Sequence, residues 1–175
     1  MFTLSILDII IRIAVAIGLG TVIGLERTLA GKTAGMRTYS MITLGSSVFV
    51  IISEMIVRSF VNPLIASPLI IPGAIITGIG FIGAGLIIFQ GNKISGLTTA
   101  AGLWVASGVG IASGFGQFSL AIIATVGALL IFTLMWTIEN ILKRYSYNLE
   151  KERSRIHKNL KELDGGSEEN NNEEK

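Results

Sequence analysis

The chain has 175 residues, half of them hydrophobic and 15% charged, and its mean hydropathy is +0.66. The formal net charge of +2 is too small to argue for nucleic acid as a partner. With no cysteine and one histidine, His157, the chain carries neither a disulfide framework nor a thiolate or histidine metal cluster.

The charges are clustered. Most lie after Glu139, and the 45 residues from Ile94 to Ile138 carry none. A soluble domain spreads charge over its surface. This pattern predicts an all-α, polytopic transmembrane helix bundle with a wet tail. A crossing needs roughly 20 apolar residues, and five segments qualify. Met1 to Ile11 lacks the basic residues of a signal peptide. The first span is therefore retained, from about Leu4 to Leu25. The second runs from about Thr38 to Val57 and the third from about Leu69 to Phe89. The uncharged stretch divides at Ser113-Gly114-Phe115-Gly116-Gln117 into a fourth span, Leu97 to Ala112, and a fifth, Phe118 to Ile138. Pro72 fits the first turn of the third span, where a missing N–H does no harm. The Asn62-Pro63 and Ser67-Pro68 pairs mark the loop before it.

Five crossings place Arg27, Lys32, Arg37, Lys93 and the basic tail on one side. The positive-inside rule makes that side cytoplasmic and the N-terminus external. Three parts follow: a membrane domain over 1–141, a charged cytoplasmic helix over 142–164 and a disordered acidic tail over 165–175. Leu142, Leu149, Ile156 and Leu163 recur every seven residues, but polar partners at Glu152 and Asn159 disfavour a coiled coil.

Two motifs resemble nucleotide sites. Gly31-Lys32-Thr33 ends like a P-loop, yet Glu26 stands where the opening glycine belongs. Gly78-Ile79-Gly80-Phe81-Ile82-Gly83 matches the dinucleotide fingerprint, but inside a span and with no βαβ unit. Nucleotide binding is excluded on these grounds, and no cofactor is expected. Small residues instead make faces for helix packing: Gly20 and Gly24; Gly78, Gly80, Gly83 and Gly85; Gly102 and Gly110. They predict spans one, three and four at the bundle centre.

Charged residues near the membrane are the candidate sites. Asp8 and Arg12 are four apart on span one, and Glu54 and Arg58 repeat that spacing on span two. Ionisable groups at membrane depth are costly, so they pair or line a wet cavity. The first possibility is two local ion pairs; the second is a polar site in the outer half built on Asp8, Arg12 and Glu54. On the inner side, Glu26, Arg27, Lys32, Arg37 and Thr38 form a dense polar loop, with Thr98 and Thr99 facing the same side. They read as one cytoplasmic binding pocket or as a basic loop serving only orientation.

Gly24-Leu25-Glu26-Arg27 with Gly31-Lys32 and Ala34-Gly35-Met36-Arg37-Thr38, the glycine block over 78–85, and Gly96-Leu97-Thr98-Thr99-Ala100-Ala101-Gly102-Leu103-Trp104 resemble, in order, three blocks of the MgtC/SapB family. The resemblance covers about Asp8 to Thr137. It implies a multi-pass protein of the bacterial inner membrane, tied to growth at low magnesium and, in some pathogens, to survival inside host cells. It implies a non-enzymatic regulator or accessory factor in magnesium and membrane-energy homeostasis, acting on another membrane protein or as a homo-oligomer within the lipid bilayer. The alternative is a small oligomeric transporter or channel for Mg2+ or another ion. The chain departs from the family at Tyr39, where a histidine is common, before Ile75, and in a tail too short for the family's larger soluble domain.

Overall fold

In a computed structural model the chain forms a helical bundle with one small hairpin. The structure describes residues 4–59, 69–91 and 93–135, together with 137, 138, 141, 142, 144, 145 and 153. The proline-marked loop, the seven-residue tail repeat beyond Leu142 and the acidic tail lie outside the described residues. Met1–Phe132 is one compact unit and Thr133–Lys175 a second.

Ser5 opens the first helix by accepting a hydrogen bond from the Leu7 N–H at 3.3 Å. Helix α1 (Ile6–Leu29) then runs one turn past the expected end and carries Glu26 and Arg27 within it. Helix α2 is Met36–Ser59 and α3 is Ile70–Leu86. Pro72 sits in the first turn of α3 as expected. Beyond Leu86 the expected third span gives way to an antiparallel hairpin, β1 (Ile88–Gln90) and β2 (Lys93–Ser95). Gly96, at φ 90°, turns the chain into α4 (Leu97–Gly114). The predicted turn falls at Phe115–Gly116, with Gly116 at φ 74°, and leads into α5 (Phe118–Leu130). The backbone widens to a π-turn over Ile131–Met135.

Four helices, α1, α2, α4 and α5 with its π-turn, are long and apolar enough to cross a membrane. Helix α3, with 17 residues, sits at the lower limit of a crossing. Large apolar side chains face outward, including Ile6, Leu29 and Phe81, the last 84% exposed. In water this would be a liability; in lipid it is the solvated surface.

Helix α4 is the centre. Its buried residues run round the helix, from Thr99, Gly102 and Leu103 to Ser113 and Gly114. Lipid removes most of the hydrophobic drive between helices, so close van der Waals contact must hold them. Glycines create that contact. A Cβ on Gly110 would lie 2.5 Å from the Thr43 carbonyl oxygen, and one on Gly114 would lie 2.8 Å from that of Ser47. On α1, a Cβ at Gly20 would lie 2.9 Å from the Tyr39 carbonyl oxygen, and one at Gly24 would lie 2.5 Å from the Met36 Cα. Thus α2 is held between α1 and α4.

This corrects the expected centre. Helix α2, not α3, packs against α1, and α3 lies mainly on α4. Gly83 meets Ala100 in ordinary contact, but Gly78, Gly80 and Gly85 have nothing within 4 Å of an added Cβ. The glycine-rich run of α3 is largely an open face, not an internal packing face.

Gly110→Ala is expected to destabilise the bundle by ~1–3 kcal/mol through overpacking. Gly78→Ala is expected to leave stability unchanged or raise it by ~0.5–1 kcal/mol, since alanine suits a helix better. Unfolding midpoints of the two variants in one detergent check this.

Candidate functional site

Two polar clusters occupy opposite ends of the bundle. The first joins the start of α1 to the ends of α2 and α4. The Arg12 guanidinium donates through Nη1 to Glu54 Oε2 at 2.5 Å and to the Gly114 carbonyl oxygen at 2.7 Å. Gly114 ends α4, where carbonyls lack intrahelical partners. Arg12 therefore caps α4 while pairing with α2. Arg58 Nη2 meets the other Glu54 oxygen at 2.5 Å. Of the two spacing-based pairs, Glu54–Arg58 forms, whereas Asp8 is exposed and Arg12 turns away from it to Glu54. The Arg12 and Glu54 side chains retain 14% and 17% exposure, so they are shielded without being sealed.

The second cluster is at the other end. Gly20, Ile23, Gly24 and Arg27 lie on the buried face of α1, which carries Arg27 into the bundle at 3% exposure. Its guanidinium stacks on the Phe132 ring, 4.3 Å from the centroid. A desolvated pair of this kind is worth ~2 kcal/mol. Glu26 lies 3.7 Å from Arg27 Nη1, beyond hydrogen-bond range. Tyr39 is fully buried, and its hydroxyl and the Phe132 ring both crowd Gly102. Thr99 is buried, while Lys32, Arg37, Thr38 and Thr98 are exposed. The expected seven-residue pocket thus divides into a buried part, with Glu26 half-buried at its edge, and an outward-facing basic rim.

Sequence reasoning missed three contributors. Thr28 donates its hydroxyl to the Gly24 carbonyl at 2.9 Å and accepts the Met36 N–H at 3.2 Å, which pins α2 to α1. Its place in the last turn of α1, just before a loop, is the signal that was available. Tyr39 heads a buried hydroxyl row on α2 with Thr43, Ser46 and Ser47 at helical spacing. Phe132 had no local signal, because only the fold brings it to Arg27.

A third feature is apolar. A groove of about 770 Å³ runs between α2 and α3, lined by Met41, Gly45, Phe49, Gly78 and Ile82 among others. Gly45 and Gly78 both face open space there.

Glu54→Ala removes the carboxylate that Arg12 and Arg58 share and is expected to cost ~3 kcal/mol of stability, most of it at the shielded Arg12. Asp8→Ala should stay within ~0.5 kcal/mol. In a double-mutant cycle with Arg12→Ala, the Glu54→Ala penalty should shrink. Thermal unfolding in detergent reads all three.

The sequence is similar to known proteins over much of its length. It is 36% identical over 148 residues to YhiD of Escherichia coli (strain K12), a protein whose name marks it provisionally as a magnesium transporter; the match covers 82% of this chain and 67% of YhiD. It is 41% identical over 97 residues to SapB of Bacillus subtilis (strain 168), covering 54% of this chain and 42% of SapB. It is 35% identical over 125 residues to MgtC of Brucella abortus (strain 2308), covering 71% of this chain and 50% of that protein. The chain thus spans two thirds of YhiD and half or less of the other two. No solved structure matches it. The model of the MgtC family matches residues 13–141, more than half the chain, and this membrane protein belongs to the MgtC family.

Proposed function

We propose that this chain is a non-enzymatic regulator of magnesium and membrane-energy homeostasis in the bacterial inner membrane, acting by contact with a transmembrane helix of another membrane protein. The magnesium link comes from the relative named for magnesium transport and from family membership. The basic rim at Lys32 and Arg37 favours that end as the cytoplasmic one.

The observation that carries the reading is the groove between α2 and α3. Its glycines leave backbone open toward lipid, and small residues admit a partner helix to close contact. Meanwhile the interior is filled. Ile23, Leu103 and Val109 are each at most 1% exposed and lie on α1 and α4 between the two polar ends. An ion path through one copy would have to displace them. The transporter reading draws on Glu54, but Arg12 and Arg58 occupy both of its oxygens, whereas Mg2+ needs free oxygen ligands.

The chain has no cysteine, so a photoreactive crosslinker on Phe49→Cys, in the groove, reports its neighbours in native membranes. Phe49→Cys is expected to capture one discrete membrane protein, and Gly78→Leu is expected to abolish capture and the growth function together while the protein remains folded. Magnesium flux into proteoliposomes that survives Gly78→Leu would instead establish the transporter.

A further inference from the structure

The hairpin between α3 and α4 pairs Ile88 with Ser95, Phe89 with Ile94 and Gln90 with Lys93. Directly opposed side chains leave a ribbon on the same face, and successive ones alternate. Phe89 and Ile94 therefore share one face. Gln90, Lys93 and Ser95 share the other with Ile88. All six are exposed, Phe89 at 72% and Ile94 at 53%. Nothing among the described residues buries the Phe89–Ile94 face. A lone two-stranded ribbon has little stability of its own in water, so this apolar pair calls for a cover.

The helices that carry the hairpin set its depth. Helix α3 has 17 residues and α4 has 18, rises of about 26 and 27 Å. Both fall short of the ~30 Å of hydrocarbon in a bilayer, and the hairpin joins them at one end. The outward apolar surface continues along the chain from Phe81 and Ile82 on α3, through Phe89 and Ile94, to Leu97 on α4. The base of the hairpin is fixed, because a Cβ on Gly96 would overlap the Leu86 carbonyl oxygen at the end of α3. The hairpin cannot lie deep, since each strand has an unpaired edge whose N–H and C=O groups need water. An apolar face and wet edges meet at one level, the boundary between acyl chains and headgroups.

Charge names the headgroup. Lys93 stands on the polar face, at the end where α1 finishes and α4 starts, as do the exposed Lys32 and Arg37. Basic groups at this level attract anionic lipid. A lysine stem lies along apolar surface while its ammonium stays among the phosphates. We propose that the β1–β2 hairpin is an anionic-lipid contact, with Phe89 and Ile94 in the acyl boundary of that leaflet and Lys93 paired with lipid phosphate. The contact makes up the short reach of α3 and α4. It does not depend on the helix-docking reading, because neither strand lines the α2–α3 groove.

The test uses the full chain in nanodiscs. The chain has no cysteine, so one nitroxide at a time is placed on Phe89→Cys, Gln90→Cys, Ile94→Cys or Ser95→Cys. Each substituted side chain is exposed, so the variants keep the fold. Oxygen concentrates among acyl chains and a nickel chelate stays in water, so the ratio of their relaxation effects reads depth. Labels at 89 and 94 are expected to give the higher ratio, and labels at 90 and 95 the lower. With the label on Ile94→Cys and Phe89 intact, exchanging part of the phosphatidylcholine for phosphatidylglycerol should raise the ratio. Lys93→Gln should remove that rise. Four labels equally open to the nickel chelate would place the hairpin in water and overturn the proposal. Labels at 89 and 94 shielded from both reagents would overturn it as well, because protein rather than lipid would then cover the face. No rise with phosphatidylglycerol, or a rise that survives Lys93→Gln, would overturn the pairing of Lys93 with anionic lipid.

Discussion

Everything in this bundle depends on α2 lying in backbone contact with both α1 and α4. Lipid gives helices little reason to associate by burying apolar surface. Stability then rests on short-range contacts, which fall away within an ångström of separation. The absent Cβ atoms at Gly20, Gly24, Gly110 and Gly114 set that separation. With the backbones this close, short polar groups can reach across. Thr21 donates to the Ile17 carbonyl at 2.7 Å, which leaves Ser40 to donate to Thr21 at 2.8 Å, one direct hydrogen bond between α1 and α2.

The same closeness places the charged residues. Arg12 spans α1, α2 and α4 because the three helix ends converge within reach of one side chain. Arg27 enters the bundle because the buried face of α1, set by Gly20 and Gly24, continues to position 27. One arginine is consumed in holding helix ends together. The other has two donors with no hydrogen-bond partner among the described residues and stacks on Phe132.

Much of this was legible in the residues. Charge clustering and apolar length gave the helices, and Gly114 to Gln117 gave the turn between α4 and α5. The three sequence blocks gave the family. Spacing also gave the Glu54–Arg58 pair. The failures share a cause. A glycine run states that backbone is bare, not what lies against it, so the α3 glycines read as an internal face when Gly78, Gly80 and Gly85 are open. Likewise, four-residue spacing made Asp8 a candidate partner for Arg12, but a residue 42 positions away competes better once the fold brings Glu54 to it. Phe132 on Arg27 is a contact across 105 positions of chain, and no local pattern encodes it.

Which helix lies against α1 is therefore the point on which the account stands or falls. Because the chain is free of cysteine, paired cysteines report it directly in native membranes. Thr21→Cys with Ser40→Cys should oxidise readily to a disulfide, since the native hydroxyl oxygens are 2.8 Å apart. Thr21→Cys with Thr77→Cys, which joins α1 to α3, should not. A Thr21–Thr77 bridge forming as readily as the Thr21–Ser40 bridge would place α3 where α2 is described and contradict the arrangement.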